Sequence, residues 1–251
     1  FPMKLLRQLL VRLPCNVLIA LVLPTLLLLA GPALAADPVL HSFKRLVLSE
    51  QFFSEGACFA DLDGDGDQDI ISGPYWYAGP DFRRRHAYAP ATPLDIRGYS
   101  DFFFSFAYDF NSDSRIDILA IGMPGRVAHW YENPGRSKGH WEKHVAIDDV
   151  GNESPQFSDL TGDGRPELVC CRGGAFGYAE SDPDMPSASW KFTPVTPANG
   201  YGGFTHGLGI GDVDGDGRLD LLETNGWWRQ EGKKGELFRF HPVRFARSGG
   251  A

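Results

Sequence analysis

The sequence predicts an all-β protein, and three observations carry that prediction. The 251 residues include 30 glycines and 18 prolines, and these turn formers separate short apolar runs of strand length. Beyond residue 40 no window sustains the 3.6-residue period of an amphipathic helix. A nine-residue acidic pattern recurs four times in one register, each copy followed by a short apolar run, which marks a repeated supersecondary unit. With 43% hydrophobic and 13% aromatic residues, the chain can bury a sizeable core.

Taken in order, residues 1–35 read as a secretory signal. Lys4, Arg7 and Arg12 lead into an apolar stretch from Val17 to Leu29, and Ala33-Leu34-Ala35 forms a small-x-small cleavage site. The stretch is short and is interrupted and followed by Pro24 and Pro32, which argues for a cleaved leader and against a membrane anchor. Phe1 and Pro2 precede Met3, which reads as the initiator, and Cys15 lies ahead of the apolar stretch, away from a lipoprotein position. The expectation is a secreted or periplasmic protein with no stable membrane span after cleavage. The remaining cysteines, Cys58, Cys170 and Cys171, are odd in number and lack zinc-site spacing, so they read as small buried hydrophobes in strands.

The repeat sets the architecture expected for residues 36–251. DLDGDGDQD at 61–69 returns as DFNSDSRID at 109–117, DLTGDGRPE at 159–167 and DVDGDGRLD at 212–220, at spacings of 48, 50 and 53 residues. The apolar runs that follow are IISG, ILAIG, LVCC and LLET. Aromatic pairs come next in three copies, Trp76-Tyr77, Trp130-Tyr131 and Trp227-Trp228, with Phe176 and Tyr178 in the third. A further strand closes the unit, SWKFTPV at 189–195 matching LFRFHPV at 237–243. A repeat of about 50 residues with about four short strands is the signature of a β-propeller blade. Four blades are expected, around residues 50–95, 96–148, 149–197 and 198–245, each with its acidic loop at the tip of the hairpin between strands one and two. HSFKRLVL at 41–48 resembles HWEKHVAI at 140–147 and reads as an additional outer strand. A fifth acidic loop at the same period would begin about a dozen residues past Ala251, so the expectation is a truncated array that does not close into a ring.

The acidic loops carry the chemistry. The formal net charge is −8, and 15 of the 32 acids sit in the four loops, leaving no basic stripe elsewhere that would suggest nucleic acid or an anionic membrane surface. Two carboxylates about 4 Å apart near a protein surface repel by about 4 kcal/mol, so five aspartates within residues 61–69 call for a cation. Calcium takes about six to eight oxygen ligands, and a loop offering side chains at positions 1, 3, 5 and 9 with a carbonyl at 7 wraps one ion. Glycine at positions 4 and 6 permits the tight turn. The first loop offers Asp61, Asp63, Asp65 and Asp69 with the carbonyl of Asp67; the fourth offers Asp212, Asp214, Asp216 and Asp220 with that of Arg218. The second has Asp109, Asn111, Asp113 and Asp117 with the carbonyl of Arg115, but Ser112 and Ser114 replace the glycines; the third has Asp159, Thr161, Asp163 and Glu167 with that of Arg165. By carboxylate count the first and fourth should bind Ca2+ more tightly. Asp212 to Glu223 also fits an EF-hand, Glu223 at position 12 included, but the other loops have Ser72, Ala120 and Cys170 there and continue as strand-like runs. Glu223 therefore reads as coincidental.

The acidic loop after CFADL, FAYDF, PQFSDL and GIGDV resembles the FG-GAP, or VCBS, repeat of secreted bacterial propellers and of the integrin α-chain head, over residues 41–245. The resemblance implies a propeller of seven or eight blades, incomplete here, with calcium in the hairpin loops. A Gly-Ala-Pro triplet is absent and Phe-Gly occurs once, at 176–177, so an integrin-like adhesion role does not carry over. Two functions follow. One is a calcium-stiffened scaffold that binds a glycan or an extracellular protein, with Trp76, Trp130, Trp227 and Trp228 as candidate platform residues. Against that stands the reading that aromatics recurring once per blade fill the space between blades. The other is the propeller portion of a carbohydrate-active enzyme, a sugar lyase or an aldos-2-ulose dehydratase-like protein, which THGLGIGDVDGDG and NGWW resemble; His206 would be its catalytic candidate. No nucleophile elbow, zincin motif, phosphate loop or dinucleotide fingerprint is present, so the scaffold reading is preferred, with His206 expected to be packed between blades.

Overall fold

Side chains along a strand point alternately to opposite faces, so a strand apolar at every position must lie between two layers. The central runs after the acidic loops are of this kind. A computed structural model of the chain describes residues 42–136 and 138–245, and it places these runs inside a stack of sheets. Residues 1–35, and with them the expected leader, lie outside the described residues. The chain divides into two compact units at Leu46 and Val47, and every strand belongs to the second.

Sixteen strands form four antiparallel four-stranded sheets, each a propeller blade. The first blade holds β1 (Ala57–Ala60), β2 (Asp69–Ser72), β3 (Tyr75–Ala78) and β4 (Arg84–Ala87). The second holds β5 (Phe104–Tyr108), β6 (Asp117–Ile121), β7 (Arg126–Glu132) and β8 (Glu142–Val150). The third holds β9 (Gln156–Ser158), β10 (Glu167–Arg172), β11 (Ala175–Glu180) and β12 (Lys191–Pro194). The fourth holds β13 (Gly209–Gly211), β14 (Asp220–Glu223), β15 (Gly226–Arg229) and β16 (Arg239–Pro242). Strand order follows chain order in every sheet, and each acidic loop joins the first strand to the second. No described residue is helical, which leaves Glu223, on β14, without the helix an EF-hand requires. The expected outer strand at 41–48 does not form: residues 42–48 are irregular, and His41 is outside the described residues. Each blade supplies its own fourth strand, so that segment has no place in a sheet.

Period-two alternation stacks the blades. In the second blade Ile118, Ala120 and Tyr131 face the first and pack with Leu62, Ile71, Trp76 and Tyr88. Their neighbours Leu119, Ile121 and Trp130 face the third and pack with Leu168, Cys170, Ala179 and Trp190. In the third blade Val169, Cys171 and Tyr178 turn the other way, onto Leu221, Trp228 and Phe238 of the fourth. Three apolar clusters thus join four blades in sequence, and among the described residues none joins the fourth to the first. The ring is not closed. Cys170 and Cys171 are buried and Cys58 half-buried, all three free thiols. Burial pushes the Cys58 thiol up to about 12 and that of Cys171 up to about 11, so these cysteines remain protonated packing groups.

Leu119, fully buried in the cluster between the second and third blades, should lose about 2–5 kcal/mol of stability as Leu119→Ala through lost transfer energy and a residual cavity. Phe59, 63% exposed on β1, should change stability by no more than about 0.5 kcal/mol as Phe59→Ser. Urea denaturation of both variants checks the contrast.

Candidate metal centres

Four carboxylates can converge in a nine-residue turn only if backbone amides hold them there. In the first loop Asp61 accepts from the N–H groups of Gly64, Asp65 and Gly66 at 2.8, 3.2 and 3.0 Å. Asp212 repeats this in the fourth loop with Gly215, Asp216 and Gly217 at 2.7, 3.0 and 3.0 Å. Asp109 accepts from Asp113 and Ser114, and Asp159 from Asp163 and Gly164. At position 5 each aspartate accepts the amide of position 7, at 2.9 to 3.0 Å in all four loops. The turn requires left-handed backbone at positions 4 and 6: Gly64 and Gly66 have φ of +74° and +93°. Ser112 and Ser114 take φ of +60° and +69° in the second loop, a conformation that costs a non-glycine residue about 1–2 kcal/mol.

Position 9 has a different environment. Asp69, Asp117 and Asp220 are fully buried and Glu167 nearly so. Asp69 accepts from Leu62 at 2.8 Å within its loop and from Gly79 at 2.9 Å beyond β3. Asp117 does the same with Phe110 and Asn133 at 3.0 and 2.8 Å, and Asp220 with Val213 and Gln230 at 3.0 and 2.9 Å. Glu167 is one carbon longer and stays within its loop, accepting from Leu160 N–H at 2.8 Å and the Thr161 hydroxyl at 2.6 Å. Burial pushes the Asp117 carboxyl up to about 7 against the two amides that pull it down, and it raises Asp69, Glu167 and Asp220 as well. A carboxylate in that position is relieved by a neighbouring cation.

The donor sets fit a hard cation. Carboxylate oxygens of Asp61, Asp63 and Asp69 lie within 4.8 Å of one another, as do those of Asp159, Asp163 and Glu167, and of Asp212, Asp214 and Asp220. By their place in the repeat, Asp65 and Asp216 at position 5, Thr161 at position 3 and the position-7 carbonyls of Asp67, Arg165 and Arg218 would add further oxygens of the kind calcium takes. In the second loop, by contrast, Asp109, Asp113 and Asp117, which Asn111 and the Arg115 carbonyl would supplement, form no such converging group.

The loops differ in a respect that their spacing does not reveal. Three of them already hold a protein cation. The Arg115 guanidinium pairs with Asp113 inside the second loop. Lys234, from the fourth blade, reaches Asp163 of the third loop at 2.6 Å and also pairs with Glu180. Arg229 on β15 lies 2.6 Å from Asp214 and 3.2 Å from Asp216 in the fourth loop. Lys234 holds the Asp163 carboxyl below its ordinary range, and the amide of Arg218, then Arg229, does so for Asp216. In the first loop, no described Lys or Arg forms an ion pair with Asp61, Asp63, Asp65, Asp67 or Asp69. Arginine at position 7 also ties the loop to the end of the third strand, since Arg115 Nε donates to the Asn133 carbonyl at 2.7 Å and Arg218 donates to the Glu231 carbonyl at 2.8 Å.

The aromatic candidates are placed by register. Trp76 and Trp130 face the following blade and stack on histidines of the fourth strand, His86 at 4.2 Å and His144 at 4.4 Å. Trp227 stacks likewise on His241 at 4.5 Å. In the third blade Tyr178, paired with Val169, takes this position, and Phe176 lies two residues earlier on the same face. Trp76, Trp130 and Trp228 are buried between blades, leaving Trp227 the half-buried member of the four. His206 is not packed between blades: its side chain is 55% exposed, with Nδ1 2.9 Å from a Glu153 carboxylate oxygen.

Residues 109–170, from the second acidic loop into β10, match the family model of the FG-GAP-like repeat. No curated protein matches the chain. Among solved structures it is similar to an Agrocybe aegerita lectin described as recognising non-reducing terminal N-acetylglucosamine, with 17% identity and a TM-score of 0.48 over 74% of this chain and 52% of the lectin. It is also similar to the V. cholerae biofilm matrix protein Bap1, with 14% identity and a TM-score of 0.36 over 72% of this chain and 29% of Bap1. The chain thus spans about half the length of the lectin and under a third of Bap1.

Removing the position-9 carboxylate strands two buried amides, each costing about 1–3 kcal/mol when unpaired. Asp117→Ala should therefore destabilise the protein by about 2–6 kcal/mol, whereas exposed Asp67→Ala should change stability by about 0.5 kcal/mol or less. Thermal and chemical denaturation of the two variants in calcium-free buffer gives the comparison.

Proposed function

We propose that this chain is an exported, calcium-stiffened propeller scaffold that presents its blades to a glycan or extracellular protein ligand. The observation that carries the calcium part is the first loop: five aspartates, three with carboxylate oxygens within 4.8 Å of one another, and no described protein cation paired to them. Its charge is relieved by an ion from solution, while Arg115, Lys234 and Arg229 relieve the other three. Calcium accordingly favours the first loop, and the fourth binds it only by displacing Arg229. The FG-GAP-like match at 109–170 supports the same reading of the loops. A signal peptide at 1–35 supplies the export.

Affinity in the range of about 10⁻⁴ to 10⁻³ M, common for extracellular modules, is expected. At calcium concentrations about 100-fold above Kd, stabilisation reaches about 2.7 kcal/mol, equivalent to a rise in Tm of about 5–10 °C for a domain of this size. Scanning calorimetry with calcium and with chelator reads this directly, and an unchanged transition would overturn the proposal. Asp63→Asn with Asp65→Asn should abolish most of the rise, and Arg229→Gln should add a second binding event in isothermal titration by freeing the fourth loop.

A second reading, a carbohydrate-active propeller, has one observation in its favour: the exposed His206 imidazole paired with Glu153, a geometry suited to holding a proton-transfer group in one tautomer. Turnover of a polysaccharide by the wild type, lost in His206→Ala at unchanged Tm, would establish it.

A further inference from the structure

Between the first and second blades, at the end carrying the acidic loops, lies a groove of about 830 Å³, within the size range of small-ligand sites. Its lining runs against the overall charge of this acidic protein. On β4 the register pairs His86 with Trp76 and Arg84 with Ala78, and Trp76 and Ala78 belong to the cluster shared with the second blade. Arg84 and His86 therefore face the groove. From the second blade, the turn after β7 brings Arg136 and Lys138 to the same space. All four side chains are exposed, and none forms an ion pair with a described carboxylate.

The corresponding position on the next blade is reversed in charge. Glu132 pairs with Glu142 in register, as Ala78 does with Arg84, and His144 is held by Glu132 at 3.1 Å. The segment after β11 that corresponds to the Arg136–Lys138 turn carries Asp182 and Asp184. The groove between the third and fourth blades again has lysines, Lys191 on β12 opposite Glu180 and Lys234 after β15. There, however, Lys234 is ion-paired to Asp163 and Glu180, so cations without an ion pair to a described carboxylate are what set the first groove apart from these two.

We propose that this groove binds an acidic saccharide, a sugar chain bearing carboxylate or sulfate groups. Unpaired cations contributed by two elements supply charge-assisted donors to such groups. The exposed His86 ring, backed by the stacked Trp76 at 4.2 Å, supplies a flat surface for a sugar ring. Asp63 also lines the groove; its carboxylate accepts from hydroxyl groups and opposes a bare inorganic anion, so the mixed lining favours an anion rich in hydroxyls. The proposal rests on the scaffold reading above but not on its calcium part.

The test is isothermal titration of the protein with trigalacturonic acid and with the neutral trisaccharide maltotriose, each for the wild type and for an Arg84→Ala/Lys138→Ala variant whose Tm and far-UV spectrum are checked. The expected result is binding of the acidic trisaccharide that weakens with salt, exceeds maltotriose binding by about ten-fold or more, and falls by about ten-fold or more in the variant. Equal affinity for the two sugars, or binding unchanged in the folded variant, overturns the assignment of this groove while leaving the scaffold reading standing. Absence of binding to trigalacturonic acid overturns it as well.

Discussion

Much of the structure depends on one interaction, the hydrogen bonding of a buried carboxylate at the ninth position of each acidic loop. In three blades it joins two amides far apart in sequence, one inside the loop and one just past the third strand. That single side chain closes the hairpin and ties the loop to the point where the third strand ends. The second blade extends the lock across a blade boundary. Asn133, whose amide Asp117 holds, donates its side-chain amide to the Leu62 carbonyl of the first blade at 2.8 Å. The loop that collects charge is thereby part of the packing that aligns one blade on the next, and a desolvated carboxylate is tolerable because both its oxygens are satisfied.

Desolvation also explains why a cation near each loop is favourable and why three of the loops have a protein cation against their acids. Each has a buried ninth acid beside a first acid whose oxygens are turned inward by amides. Where Arg115, Lys234 or Arg229 is in reach, a tethered cation relieves the field without the entropy of capturing an ion. Lys234 does so from the neighbouring blade, so its ion pairs also fasten the fourth blade to the third. Exposed pairs of this sort contribute little individually; their importance is that they occupy the carboxylates.

The parts legible in the sequence are those governed by spacing within one repeat. Asp61, Asp109, Asp159 and Asp212 fall at a nearly constant interval, and the apolar runs behind them locate the second strands of all four blades. The aromatic pairs locate the third strands, although in the third blade Tyr178 and not Phe176 holds the tryptophan's place, because Gly177 separates the two and only cross-strand register reveals which pairs with Val169. Features made between repeats were not legible. Lys234 lies 71 residues from Asp163, and nothing in the spacing couples them. Arg83, Arg84 and Arg85 are consecutive in the sequence, but only alternation on β4 sends Arg84 toward the second blade and Arg85 onto Tyr75, 4.2 Å from its ring centroid. The segment 41–48 misled because a strand-like pattern reports only a capacity to pair, and each of the four blades already holds its own fourth strand.

On the proposed reading, Asp63 connects the calcium loop and the saccharide groove. It contributes an oxygen to the cluster in the first loop and lines the groove that Arg84 and Lys138 make positive. An ion held by Asp61, Asp63 and Asp69 removes negative charge from one wall of that groove, and the potential experienced by an anionic ligand rises accordingly. Asp63, Arg84 and Lys138 are all exposed, so the effect is screened by salt. By linkage the same coupling works in reverse, an anionic ligand in the groove raising the affinity of the first loop for its cation. The first loop differs from the other three in having no tethered cation among the described residues, and on the proposed reading that difference makes such coupling available: a permanent Arg or Lys at Asp63 would fix the groove's potential, whereas a calcium ion taken from solution would let it vary with the calcium concentration.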